Sequence, residues 1–193
     1  MRRALSTKNI LDKKHKLYQF EGIWKEVFGS PSTNGIWLIQ GEEKNGKTWG
    51  TLMIALMLSY REKVHYISAE EGTDSEFQNA VLRAGITAEN NIQFTEYEEI
   101  DELYKRLKKQ RAPRIIVIDN LTIYNDELRG GKIKKLLQDF PKQHFICLAH
   151  EEKGKPYGAC AKLASKLAKV IIKAKGLALI VGGRVPGGTL MID

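Results

Sequence analysis

The sequence predicts a three-layer α/β fold: a mostly parallel central sheet between helices, with an antiparallel hairpin at its C-terminal end. Three observations carry this prediction. Short apolar runs of strand length alternate with stretches of helical period from residue 36 to residue 174. One run, Ile115-Ile116-Val117-Ile118, is aliphatic at every position, as a strand buried on both faces of a parallel sheet must be. The chain then closes with Val170–Ala174 and Leu177–Val181 on either side of Lys175-Gly176, the spacing of a hairpin. At 193 residues this is most simply one domain, able to bury about 70% of the surface its unfolded chain exposes.

Residues 1 to 17 are polar and basic without apolar period and read as a flexible arm. Phe20, Ile23, Trp24 and Val27 fall at i, i+3, i+4 and i+7, one face of a short helix, which the Gly29 to Gly35 turn ends. The arm and helix, 1–34, are set apart from a core at 35–193. The first core strand is Ile36–Gln40, and a helix of mostly apolar residues runs from Trp49 to Tyr60. Val64–Ser68 is the second strand. Asp74 caps a helix with Phe77, Ala80, Val81 and Ala84 on one face and Gly85 as its stop. Ile92–Phe94 is a weaker strand, and Ile100, Leu103, Tyr104 and Leu107 mark the next helix. The aliphatic strand at 115–118 ends in Asp119-Asn120. A glycine-containing loop over Leu121–Gly131 and a helix through Ile133, Leu136, Leu137 and Phe140 lead to the strand His144–His150. A basic loop over Glu151–Gly158, a helix through Cys160, Leu163, Ala164 and Leu167, the hairpin, and a short strand at Thr189–Ile192 complete the chain.

Between the first strand and its helix lies Gly41-Glu42-Glu43-Lys44-Asn45-Gly46-Lys47-Thr48, which meets the pattern G-x-x-x-x-G-K-[ST] at each fixed position. Strand, glycine loop and helix are the context in which this pattern acts. The N-terminus of a helix offers unsatisfied N–H groups and a favourable dipole to phosphate oxygens. Residues 41–49, ending at Trp49, are therefore the expected nucleotide site, with Lys47 reaching the β- and γ-phosphates and the Thr48 hydroxyl ligating Mg²⁺. Asp119, at the end of a buried strand a plausible interval later, is the expected acid at the metal. ATP and Mg²⁺ are the expected cofactors.

Composition narrows the classes further. Lysine plus arginine exceed aspartate plus glutamate by 31 − 23 = 8, with excesses in residues 1–30 and 151–175. Such a balance suits either a nucleic-acid partner or a well-solvated surface. The two cysteines, Cys147 and Cys160, have no metal-ligand spacing and fit a reducing cytoplasm. No apolar run approaches a membrane span, and the opening Met1-Arg2-Arg3 leads into no signal-peptide core.

The order of these features resembles the RecA-like P-loop ATPase core: a P-loop strand, a strand ending Ser68-Ala69-Glu70-Glu71, one ending Ile118-Asp119, one ending Ala149-His150, then a basic loop and a terminal hairpin. That superfamily includes recombinases and DnaB-type helicases, and the compact form resembles ATPases of phages and mobile elements. The resemblance implies that Glu70 orients and deprotonates the attacking water, with Glu71 as fallback, and that Asp119 holds Mg²⁺ through water. It implies that His150 stands where relatives have a polar sensor; the residues alone leave a plain strand-end histidine equally open. It further implies DNA contacts, chiefly to single strands, in the loop bearing Lys153, Lys155 and Tyr157. Arg184 would reach the phosphates of a neighbouring subunit in a ring or filament, although Gly182 replaces the usual accompanying lysine. The expected activity is Mg²⁺-dependent ATP hydrolysis coupled to recombination or replication. The alternatives are a regulatory ATPase acting on a protein, and a small-molecule kinase with Arg129-Gly130-Gly131-Lys132 as its lid.

Overall fold

The computed structural model describes residues 4–192; the reading of Met1-Arg2-Arg3 falls outside them. In chain order the elements are α1 (Thr7–Leu11), α2 (Gly22–Phe28), β1 (Gly35–Gly41), α3 (Lys47–Ser59), β2 (Val64–Ser68), α4 (Ser75–Arg83), β3 (Ile92–Thr95) and α5 (Ile100–Lys108). They continue with β4 (Ile115–Asp119), α6 (Asn125–Leu128), α7 (Lys132–Asp139), β5 (His144–Glu152), β6 (Lys155–Pro156), α8 (Ala159–Leu167), β7 (Val170–Lys175), β8 (Ala178–Gly183) and β9 (Gly188–Met191). The sheet runs β3-β2-β4-β5-β1-β7-β8-β9, with β6 pairing the end of β5. From β3 through β7 each pairing is parallel, and β8 and β9 continue antiparallel. This is the α/β fold with a parallel sheet and antiparallel C-terminal flank that the sequence predicts.

The period of two along each strand sorts side chains into two cores. Trp37 and Ile39 of β1, Ile115 and Val117 of β4, and Ile146 and Leu148 of β5 enter one, covered by α3 and α4. Ile36 and Leu38, Ile116 and Ile118, and Phe145, Cys147 and Ala149 enter the other, covered by α5 to α8. Both faces are covered, which is why these strands carry unbroken apolar runs, Ile36–Ile39, Ile115–Ile118 and Phe145–Ala149, and why their limits are readable. Gly50 of α3 sits so close to β8 that a Cβ there would lie 2.6 Å from Leu179 Cδ2.

Four readings need correction. The arm at 1–17 contains a helix, α1, although no apolar face marks it. Ser6 caps it, accepting from the Asn9 N–H while the Asn9 side chain accepts from the Ser6 N–H. The helix over Phe20–Val27 begins only at Gly22. Tyr18 and Phe20 are buried from extended chain, where the Tyr18 N–H donates to the Pro31 carbonyl, and Ile23 faces solvent. The segment 121–131 holds a helical turn, α6, and the basic loop after His150 is a tight β5–β6 hairpin pairing Glu151 with Pro156 and Glu152 with Lys155.

Candidate nucleotide site

The parallel strands all end at one edge of the sheet, and register decides what meets there. Gly41 at the end of β1 lies opposite His150 of β5, and Ser68 at the end of β2 lies opposite Asp119 of β4. A cavity of about 560 Å³ opens at this edge, bounded by residues 43–49, the carboxylates of Glu70, Glu71 and Asp119, and His150. Its far wall is α4, through Glu76, Asn79 and Arg83.

The glycine loop is shaped by the hairpin beside it. Gly46 has φ +75°, and a Cβ there would stand 2.5 Å from the Gly176 carbonyl oxygen; one on Gly41 would stand 2.7 Å from that of Ala174. The β7–β8 turn thus presses backbone to backbone on the loop. At the start of α3 no side chain caps the helix and no acid occupies its first turn, so its N–H groups and dipole remain available to an anion. Lys47 is buried and donates from Nζ to the Glu42 carbonyl at 2.7 Å. Burial lowers its pKa, against the pull of Glu70, Asp119, Glu43 and Glu71. Trp49 donates from Nε1 to the Ile192 carbonyl, and the Arg83 guanidinium lies 4.3 Å from its ring centre.

The two glutamates after β2 face different partners. Glu71 accepts from the Thr48 hydroxyl at 3.1 Å. Glu70 is met on one oxygen by Asn120 Nδ2 and on the other, at 2.9 Å, by His150 Nε2. The Asn120 amide is oriented because its Oδ1 accepts from the Thr122 N–H at 2.7 Å. With Nε2–H donating to Glu70, the 2.9 Å approach of Asn120 Nδ2 to His150 Nε2 brings two donors together around one carboxylate. Asp119 is buried beside Tyr66, whose hydroxyl donates to Oδ2 at 2.8 Å. Burial pushes its pKa up to about 7; the Tyr66 bond pulls down, and Glu71 and Glu70 add to the rise.

Sequence reasoning missed Asn120, Tyr66 and the α4 wall. Asn120 follows Asp119 directly and Tyr66 alternates with Ser68 on β2, but only the strand order brings both to Glu70 and Asp119.

The other named residues lie elsewhere. Lys153, Lys155 and Tyr157 are on or beside the exposed β5–β6 hairpin, together with Glu151 and Glu152. The Tyr157 N–H returns to the His150 carbonyl at 2.8 Å, which ties this hairpin to the cavity. Arg184 is at the opposite edge of the sheet: Gly183 pairs with Val170 near the start of β7, and the Arg184 N–H donates to the Lys169 carbonyl.

Across residues 10–157 the chain matches the model of the family described as iSTAND, inactive STAND. The chain belongs to the iSTAND family. No curated protein sequence matches it. Among solved structures, the flagellar accessory protein FlaH from Methanocaldococcus jannaschii is similar over 93% of this iSTAND chain and 96% of its own, at 15% identity and a TM-score of 0.65. A KaiC-like protein from Pyrococcus horikoshii is similar over 88% of both chains, at 15% identity and a TM-score of 0.57. A third solved structure, described as an ATPase domain, is similar over 82% of this chain and 80% of its own, at 16% identity and a TM-score of 0.53. These are RecA-like P-loop ATPase folds, and this iSTAND chain has the same fold. No described helix is long and apolar enough to cross a membrane.

The site suits a nucleotide with Mg²⁺. Among the described residues no three His, Cys, Asp or Glu side chains are grouped closely enough to hold a metal ion by themselves, so the ion would draw on Thr48, Asp119 or Glu71 and otherwise on phosphate oxygens and water, as Mg²⁺ commonly does.

Proposed function

We propose that this protein binds Mg²⁺·ATP at the 41–49 loop and hydrolyses it slowly, using the bound state to set the position of the β5–β6 hairpin. The observation that carries the reading is the convergence of Lys47, Thr48, Glu70, Glu71 and Asp119 on one cavity. The family description is of inactive members, yet this chain keeps the lysine, the hydroxyl and the acids that phosphoryl transfer uses. Bound Mg²⁺ would neutralise charge on the transferring phosphoryl group. Lys47 would hold phosphate oxygens, and the α3 N-terminus would bind them through backbone N–H groups. Glu70, braced by Asn120 and His150, would orient a water and take its proton. His150 stands one short hairpin from Tyr157, so a shift of Glu70 toward that water passes into the hairpin.

The test measures ATP affinity by calorimetry and phosphate release by the wild type and Lys47→Ala. Tight binding lost in a folded Lys47→Ala, with measurable turnover in the wild type, supports the reading. Binding without turnover removes the hydrolysis step, and unchanged binding in the variant removes the loop assignment.

A second reading, in which the hairpin of a homo-oligomer contacts single-stranded DNA in recombination or replication, is supported by the exposure of Tyr157 beside Lys153 and Lys155. Glu151 and Glu152 offset those two lysines. Loss of oligonucleotide affinity in Lys153→Ala/Lys155→Ala, and of about 1–3 kcal/mol in Tyr157→Ala, supports this reading; unchanged affinity sinks it.

A further inference from the structure

A second large cavity, of about 910 Å³, lies at the edge of the sheet opposite the nucleotide site. It forms where the parallel strands begin: Asn34 precedes β1, Arg114 precedes β4, Lys142 precedes β5 and Lys169 precedes β7. Lys13 and Lys14, just past α1, close one side, and Arg184, just past β8, closes another. No carboxylate among the described residues lines it. Lys16, also in the wall, pairs with Glu62, whereas Lys13, Lys14, Arg114, Lys142, Lys169 and Arg184 form no ion pair among the described residues.

Lys169 shows that this is more than a cluster of solvated lysines. Its stem crosses Gly35, where a Cβ would stand 2.9 Å from Lys169 Cε, so the glycine makes room for it. Its ammonium is held by two neutral acceptors, Ser32 Oγ and Asn34 Oδ1, each at 2.7 Å. Burial lowers its pKa, and the charge of Arg184 lowers it further. A half-buried ammonium fixed by neutral groups and facing a guanidinium, with no acid in the described wall, is an arrangement that an anion completes. The size of the cavity and the spread of its cations exceed what one phosphate group needs. Among the described residues the wall offers no phenylalanine, tyrosine or tryptophan ring for a base to stack on.

From this we infer that the cavity is a binding site for a ligand carrying several phosphate groups, held through Lys169, Arg184 and Arg114. The site is distinct from the 41–49 loop and does not depend on the function proposed for it. Two sources supply such a ligand: a small polyphosphate or the backbone of a nucleic acid. Contacts of this kind bring counterion release and steep salt dependence.

The test uses the full chain with two probes. Inorganic tripolyphosphate is titrated by calorimetry into the wild type and into Lys47→Ala, which leaves this cavity as the remaining phosphate site. A labelled single-stranded oligonucleotide of about 15 nucleotides is followed by fluorescence anisotropy over a salt series. The variants are Arg114→Ala/Arg184→Ala, whose side chains make no hydrogen bond among the described residues, and Lys169→Gln, which can still donate to Ser32 and Asn34.

A tripolyphosphate site that persists in Lys47→Ala and weakens at least tenfold in both variants supports the inference, with a small polyphosphate as source. Should Lys47→Ala fail to fold, the wild type binding one more tripolyphosphate than the double variant carries the same meaning. Oligonucleotide binding whose log–log salt slope becomes shallower by about 1.4 in the double variant, about 0.7 per lost contact, supports it with nucleic acid as source. Binding of neither probe at about 50 mM salt, or equal binding by wild type and both variants, overturns it.

Discussion

Replacing Asp119 by Asn changes how stability depends on pH, in a direction the burial of this residue dictates. Asp119 is 3% exposed, and its pKa stands at about 7 against an ordinary 3.8. Between those values the native protein holds a proton that the unfolded chain has released. The unfolding free energy of the wild type therefore falls as pH rises through that window. Asparagine is nearly isosteric, still accepts from Tyr66, and carries no titrating proton. The gap between 3.8 and about 7, at about 1.4 kcal/mol per pH unit, amounts to about 4 kcal/mol. Relative to the wild type, Asp119→Asn should thus gain up to about 4 kcal/mol on going from about pH 4 to about pH 8. Urea unfolding of both proteins across this range, without nucleotide or metal, gives the difference directly. Other titrating groups largely cancel in that difference. Among them is His144, which burial holds at about 3, so that the native state loses stability as pH falls below 6.5. A difference between the two proteins that stays flat from pH 4 to pH 8 would refute the reasoning and mean that Asp119 is charged in the folded protein throughout.

Other variants have expected outcomes too. Glu70→Gln should retain ATP and lose turnover by a factor on the order of 10², while Glu71→Gln should mainly raise the Mg²⁺ concentration that binding requires; single-turnover assays over a metal series check both. Tyr18→Phe removes the hydroxyl 2.9 Å from Nδ1 of fully buried His144 and should cost about 1–3 kcal/mol in urea unfolding. Gly46→Ala should lower both the melting temperature and ATP affinity, since its Cβ would strike the Gly176 carbonyl at a backbone angle alanine disfavours. If the phosphate group that Arg184 meets belongs to a neighbouring copy's nucleotide, mixing Arg184→Ala with Glu70→Gln should raise turnover above that of either variant alone.

What could be read from the sequence follows from how locally each feature is encoded. Strands β1, β4 and β5 announce themselves because burial on both faces demands apolar residues without a break. The 41–48 loop is legible because its chemistry lies within eight consecutive residues. The β5–β6 hairpin escaped because Glu151 and Glu152 pair with Pro156 and Lys155 and the segment shows no apolar alternation. Helix α1 escaped similarly, since it is specified by the Ser6 and Asn9 caps and buries nothing. At the site, the brace of Asn120 and His150 on Glu70 depends on β4 lying between β2 and β5, a long-range adjacency that no spacing along the chain expresses. The basic cavity is hidden for the same reason, its cations coming from segments scattered between residues 13 and 184.

The contact between the β7–β8 turn and the phosphate loop bears on how a family described as inactive can diverge. Gly41 and Gly46 are required by the carbonyl groups of Ala174 and Gly176 whether or not a nucleotide ever binds. A descendant that abandons ATP can exchange Lys47 or Thr48 and remain folded, but it must keep both glycines or rebuild the hairpin with them. The glycine spacing of this motif is therefore a record of architecture, and the lysine and hydroxyl are the record of chemistry. In this chain both survive.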